Sequence, residues 1–121
     1  MFVSCKSKKS TTTNASAADQ ENSANSSQQT ELKFGYQYIN GCAERMKGNL
    51  REALALFEEC RRLDPKNMPV YYELGTIYKL LGANEMALKN AKVCAAADPK
   101  NEWYQLLLIE CYNPENNTRK P

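Results

Sequence analysis

The tetrapeptide Asp-Pro-Lys-Asn occurs twice, at 64–67 and 98–101, with a separation of 34 residues. A fixed period of that size marks a repeat architecture, in which each unit is a supersecondary element that cannot bury its apolar face alone. The period runs beyond the tetrapeptide. With residues 34–67 laid over 68–101 without a gap, Tyr38 meets Tyr72, Gly41 meets Gly75 and Gly48 meets Gly82. Ala53 likewise meets Ala87, Leu54 meets Leu88 and Cys60 meets Cys94. These six pairs and the four turn residues make ten identities in 34 positions.

Within each copy the apolar residues fall at helical spacing. Leu50, Ala53, Leu54, Phe57, Cys60 and Leu63 recur every three or four residues, the stripe of one amphipathic helix. Asn49 and Glu52 have the spacing of a capping box at its start. Asp64-Pro65 ends it, since a residue before proline is pushed out of the α region. Asn67 and Asn101 can cap the helices that follow, and Pro69 is tolerated in a first turn. In the second copy Val70, Leu74, Ile77, Tyr78 and Leu81 line one helix, Gly82 breaks it, and Met86, Ala87, Ala91 and Cys94 line the next. Each unit therefore reads as an antiparallel helix pair. Gly41 and Gly75 fall inside first helices, where glycine costs about 1 kcal/mol against alanine, so a partner helix is expected to approach the backbone there.

These residues resemble the tetratricopeptide repeat family. Its pattern of aromatic, Leu-Gly and Tyr in a first helix, small residues around a large one in a second, and then proline is matched by Tyr71, Leu74, Gly75, Tyr78, Ala87, Cys94 and Pro99. In the second unit Ala91 stands where the large residue is usual. The first unit matches at Gly41, Ala53, Phe57, Cys60 and Pro65 and departs at Gln37, Asn40 and Glu44, polar residues that suit a capping end. Tyr112 keeps the period from Tyr78, whereas Ile109 falls where a glycine is due. The resemblance implies an all-α, right-handed α-solenoid of antiparallel helix pairs with about two and a half repeats. The expected boundaries are a disordered polar tether over 1–31, repeats over 32–67 and 68–101, a lone first helix over 102–112, and a disordered tail over 113–121. Further repeats in a longer chain, or self-association, would complete such an array.

The family binds peptides or helices of partner proteins along its first helices. Carried over residue by residue, the candidate groove comprises Tyr38, Cys42, Arg45, Tyr72, Thr76, Lys79, Leu106 and Glu110, with Trp103 at the edge. Arg45 and Lys79 would favour acidic segments. The subfamily that clamps C-terminal carboxylates of heat-shock chaperones uses a lysine and an asparagine where Tyr38 and Cys42 stand here, so that ligand is not expected. Tyr38 and Tyr72 have an alternative role, packing between repeats.

Residues 6–31 contain only Lys, Ser, Thr, Asn, Gln, Asp, Glu and four alanines, too little apolar surface to offset ordering entropy, and disorder is expected. Before them, Phe2-Val3-Ser4-Cys5 resembles the end of a bacterial lipoprotein signal peptide, which implies lipidation of Cys5, a membrane anchor and a place in the cell envelope. The basic and apolar regions of such a signal do not precede it. Two readings stay open: a start internal to a longer signal, or a cytoplasmic adaptor or inert gene fragment with an accidental match.

Catalytic chemistry is not expected. The chain has no histidine, no phosphate-cradling glycine loop and no nucleophile elbow. Glu52, Glu73 and Glu110 read as isolated, solvated helix residues. Cys42, Cys60, Cys94 and Cys111 read as small buried hydrophobes rather than metal ligands, and no cofactor is expected. A net charge of +2 gives little reason for nucleic acid, since Arg61, Arg62 and Lys66 follow Glu58 and Glu59 at a helix end. The expected function is a non-catalytic protein–protein interaction scaffold, with a nucleic-acid-binding helical repeat as the weaker alternative.

Overall fold

Two kinds of turn alternate along the chain and set its helix bounds. The computed structural model describes residues 15–113, with side chains from residue 26 onward. Among these residues lie α1 (Ala15–Lys47), α2 (Leu50–Leu63), α3 (Met68–Leu80), α4 (Asn84–Ala97) and α5 (Glu102–Tyr112), and no strand. The all-α class is as expected. Helices α2 and α4 have the same length and begin 34 residues apart, at Leu50 and Asn84.

The first kind of turn is built on glycine. Gly48 and Gly82 have φ of +89° and +83°, a region that L side chains rarely adopt. The Gly48 N–H donates to Arg45 O and the Asn49 N–H to Glu44 O; the Gly82 N–H donates to Lys79 O and the Ala83 N–H to Tyr78 O. Both sets are the paired bonds of a Schellman motif, which satisfies the last carbonyls of α1 and α3. The second kind is the repeated tetrapeptide. The Asn67 N–H donates to Asp64 O and the Asn101 N–H to Asp98 O, each over 3.1 Å. The Asp-Pro-Lys-Asn segments are thus two copies of one turn.

The caps differ from expectation at two of three positions. Asn101 caps α5, its side chain accepting from the N–H groups of Trp103 and Tyr104. Asn67 has almost the same backbone angles but makes no side-chain cap, and its Oδ1 is buried without a partner. Pro69 explains the difference. It occupies the place of Trp103 and has no N–H to donate. Asn49 forms no capping box with Glu52 either. Its Nδ2 donates instead to Glu44 Oε1 over 2.7 Å, because the glycine turn brings a charged acceptor within reach. The Asn49 amide and then the Lys47 ammonium hold the Glu44 carboxyl below the usual carboxylate range.

The chain divides into two compact units, residues 1–33 and 34–121, and α1 contributes to both. The first unit departs from expectation: residues 15–31, expected to be disordered, are helical. Ala15, Ala17, Ala18 and Ala24 favour helix, and each residue added to an existing helix gains a backbone bond without a new nucleation cost. Thr30 Oγ1 donates to Ser26 O, which satisfies the hydroxyl within the helix. Cys5, the earlier part of the expected tether, and all but Asn113 of the expected tail lie outside the described residues.

In the second unit a first core cluster joins Ala53, Phe57 and Cys60 of α2 to Val70, Leu74 and Ile77 of α3, with Phe34, Tyr38 and Cys42 of α1 packed against it. Gly41 lies under the Phe57 ring, where an added Cβ would meet Cζ at 2.9 Å. Ala91 stands in the position of Phe57 one period later, and the space over Gly75 is filled by Leu107 Cδ2 from α5, 2.9 Å from an added Cβ. The close approaches expected at both glycines are present, but different elements supply them. Leu107 and Cys111 pack with Ala87 and Ala91, and Tyr104 packs with Cys94 and Ala95. These clusters join α4 to α5.

Candidate functional site

The nine expected groove residues lie on α1, α3 and α5; the structure pairs Lys79 with Glu110 within the set, and Arg45 and Tyr72 with residues outside it. Arg45 on α1 meets Glu73 on α3, with Nε 2.9 Å from Oε1. The carboxylate lies off the N–H axis, so Nε has ion-pair contact without an aligned hydrogen bond. Lys79 on α3 forms an ion pair with Glu110 on α5. Tyr72 on α3 packs against Tyr104 on α5, with ring centroids 5.5 Å apart. The first helices of successive units are therefore linked side to side, α1 to α3 and α3 to α5.

The pairing changes what this face can offer. Both cations expected to attract acidic segments are engaged by carboxylates of the same chain. Glu73 and Glu110, read from the sequence as isolated solvated residues, are those partners. Glu73 is largely withdrawn from water at 15% side-chain exposure. Burial raises its carboxyl above the ordinary value, and the attraction of Arg45 offsets this only in part. No local signal in the sequence reveals these pairs. Arg45 and Lys79 hold equivalent positions, whereas Glu73 and Glu110 do not.

Both tyrosines of the expected groove are half-buried. Tyr38 stacks on Phe34 at 5.9 Å and meets the Phe57 ring edge-on at 5.3 Å. Its hydroxyl is pushed up to about 12, first by burial and then by the Glu73 charge. Tyr72 is half-buried between the two clusters that join α4 and α5. Tyr38 thus has its ring contacts within its own unit, whereas Tyr72 meets Tyr104 of the next. Cys42 is half-buried against the first core cluster, and Thr76 is half-buried. The exposed apolar area on this face comes from α5, where Trp103 and Leu106 are 66% and 46% exposed.

Three of the four described thiols are buried. Cys42, Cys60, Cys94 and Cys111 are free. Burial pushes the Cys60 and Cys94 thiols up to about 11 and raises Cys111 as well, which favours the unreactive protonated form. Among the described residues no three His, Cys, Asp or Glu side chains are placed to hold a metal ion. No described helix is long and apolar enough to cross a membrane. Arg61 and Arg62 pair with Glu58 and Glu59, so the short basic cluster is largely neutralised by its own helix.

No protein-family model matches the chain, and no curated protein matches it.

Proposed function

We propose that the chain is a non-catalytic protein-interaction module of the tetratricopeptide repeat type, a right-handed solenoid whose α1, α3 and α5 face receives a segment of a partner protein. The observation that carries this reading is the side-to-side linkage of the three first helices by Arg45–Glu73, Lys79–Glu110 and Tyr72–Tyr104. Recurrence of both turn types at a 34-residue period supports the repeat assignment. With the cations paired internally, affinity would come from the apolar area of Trp103 and Leu106 and the exposed edges of the tyrosines.

A photo-reactive phenylalanine analogue at Trp103, introduced into cells that express the protein, tests the reading against the same analogue at exposed Ala55 on α2. A discrete partner adduct is expected from position 103 and none from position 55. Equal labelling from both would refute a dedicated face. We further propose that Cys5 is acylated and tethers the module to a membrane of the cell envelope. An N-terminal peptide carrying acyl mass supports this, and an unmodified Cys5 in the mature protein overturns it. The nucleic-acid reading loses ground because Arg61 and Arg62 are already paired.

A further inference from the structure

A second concavity, sharing no residue with the α1, α3 and α5 face, opens where α2, α3 and α4 meet and has room of about 100 Å³. Asn90 on α4 lies in its lining and is only 5% exposed. Its Nδ2 donates to Met86 O over 2.8 Å. The Oδ1 accepts from no group among the described residues and is not sealed from the cleft. On a side chain otherwise buried, an acceptor open to the cleft is free to take a donor from outside the chain. The repeat itself does not call for an amide here, since one period earlier the position holds Leu56. A residue that breaks the local pattern without a packing gain points to a role in binding.

The surroundings narrow the ligand. Glu58 is engaged from two sides, by Arg61 across 2.7 Å and by the Tyr78 hydroxyl, which donates to its other oxygen over 2.8 Å. Lys89, at the same lip, has no ion pair among the described residues, so the cleft carries net positive charge. The Tyr71 hydroxyl donates to Pro65 O and leaves its ring as an apolar wall. Met86 and Val93, each 38% exposed, continue that wall. The room suits one side chain, whereas a drug-sized ligand needs roughly 300 Å³ or more.

We propose that this cleft binds an extended acidic–aliphatic segment of a partner protein. One backbone N–H of the segment donates to Asn90 Oδ1, a Glu or Asp carboxylate meets Lys89 and the outer donors of Arg61, and the neighbouring aliphatic side chain lies against Tyr71 and Val93. The site stands independently of the α1, α3 and α5 face.

The test is a nitrogen-15 NMR titration of the full chain with the blocked peptide acetyl-Ala-Glu-Leu-Ala-amide. Saturable shifts are expected at the Asn90 carboxamide and at the Lys89 and Val93 amides. Replacing the Glu of the peptide by Gln should weaken binding about fivefold, and Lys89→Glu in the protein by a similar factor. Asn90→Leu restores the residue type of the first unit, should melt no lower than the parent chain, and should abolish the titration. Acetate alone should produce no saturable shift. The proposal is overturned by absence of a saturable shift up to about 10 mM peptide, where even a Kd near 1 mM would show. Equal binding of the Gln peptide, unchanged binding by a folded Asn90→Leu chain, or an acetate response matching that of the peptide would also overturn it.

Discussion

At Gly41 the hydrogen in place of a Cβ lets a helix backbone and an aromatic ring meet. The Phe57 ring atoms lie 2.9–3.1 Å from where a Cβ would stand, and the ring is fully buried and meets Tyr38 of the same helix edge-on. Gly41→Ala gains helix propensity of about 1 kcal/mol but overpacks a rigid contact, for which 1–3 kcal/mol is roughly the usual penalty. Thermal melts should show Gly41→Ala below the parent chain. Gly35, on the same helix, has nothing within 4 Å of an added Cβ, and Gly35→Ala should melt higher. At residue scale the sequence was informative where a residue repeats and silent where a long-range neighbour decides. The pair of glycines announced close packing, but nothing in the order of residues indicated that Leu107 would stand in for a ring replaced by Ala91. The same holds for Glu73 and Asn90, whose significance comes from partners, or their lack, far along the chain.

Two tyrosines give the residue scale a pH signature. Burial pushes both Tyr38 and Tyr78 from an ordinary value near 10 up to about 12; hydrogen bonding to Glu58 adds to the shift at Tyr78. The unfolded chain releases these protons first, so the stability that depends on the neutral phenols is complete below pH 10 and is lost as pH rises from 10 through 12. Ultraviolet titration of the folded protein should resolve a late class of tyrosines, and melting temperatures should fall steeply over the same interval. Phe at position 38 should remove part of that slope; an unchanged slope would contradict the assignment.

At the scale of elements, three asparagines read alike in the sequence and act differently. Asn101→Ala removes a cap with two donors and should destabilise by about 1 kcal/mol. Asn67→Ala removes no cap and deletes a buried unpartnered oxygen, so its melting temperature should equal or exceed that of the parent. Matched denaturant curves of the two variants decide this, and equal losses would mean that Asn67 caps α3 after all. Helix positions were legible because apolar period and turn chemistry agreed, as at Leu50–Leu63 between Gly48 and Asp64. The start of α1 was not legible. Polar composition gives residues 26–31 no face to bury, and they are exposed, but a helix already anchored by Phe34, Tyr38 and Gly41 can continue through such residues at the cost of elongation alone.

At the scale of the whole molecule, every buried residue among those described lies between Gly41 and Cys111. Ile39 and Met46 on α1 are 68% and 75% exposed. Ile39→Lys should raise solubility without lowering stability, since little apolar area is withdrawn from water there. Solubility in ammonium sulfate read beside a melting curve checks both halves. The repeat period gave the order of helices and the placing of their turns, whereas ion pairs between α1, α3 and α5 arise only once that order is folded.

The glycine turns carry a stereochemical consequence. Among the described residues Gly48 and Gly82 alone have positive φ; an L-configured Cβ would meet nothing within 4 Å at either, so backbone conformation and not crowding disfavours an L side chain there. That backbone region is the natural one for a residue of mirror-image chirality. Chemical synthesis with D-alanine at both positions should give a chain that folds as before and has fewer unfolded conformations to lose, whereas L-alanine at the same two sites should strain both hinges between first and second helices.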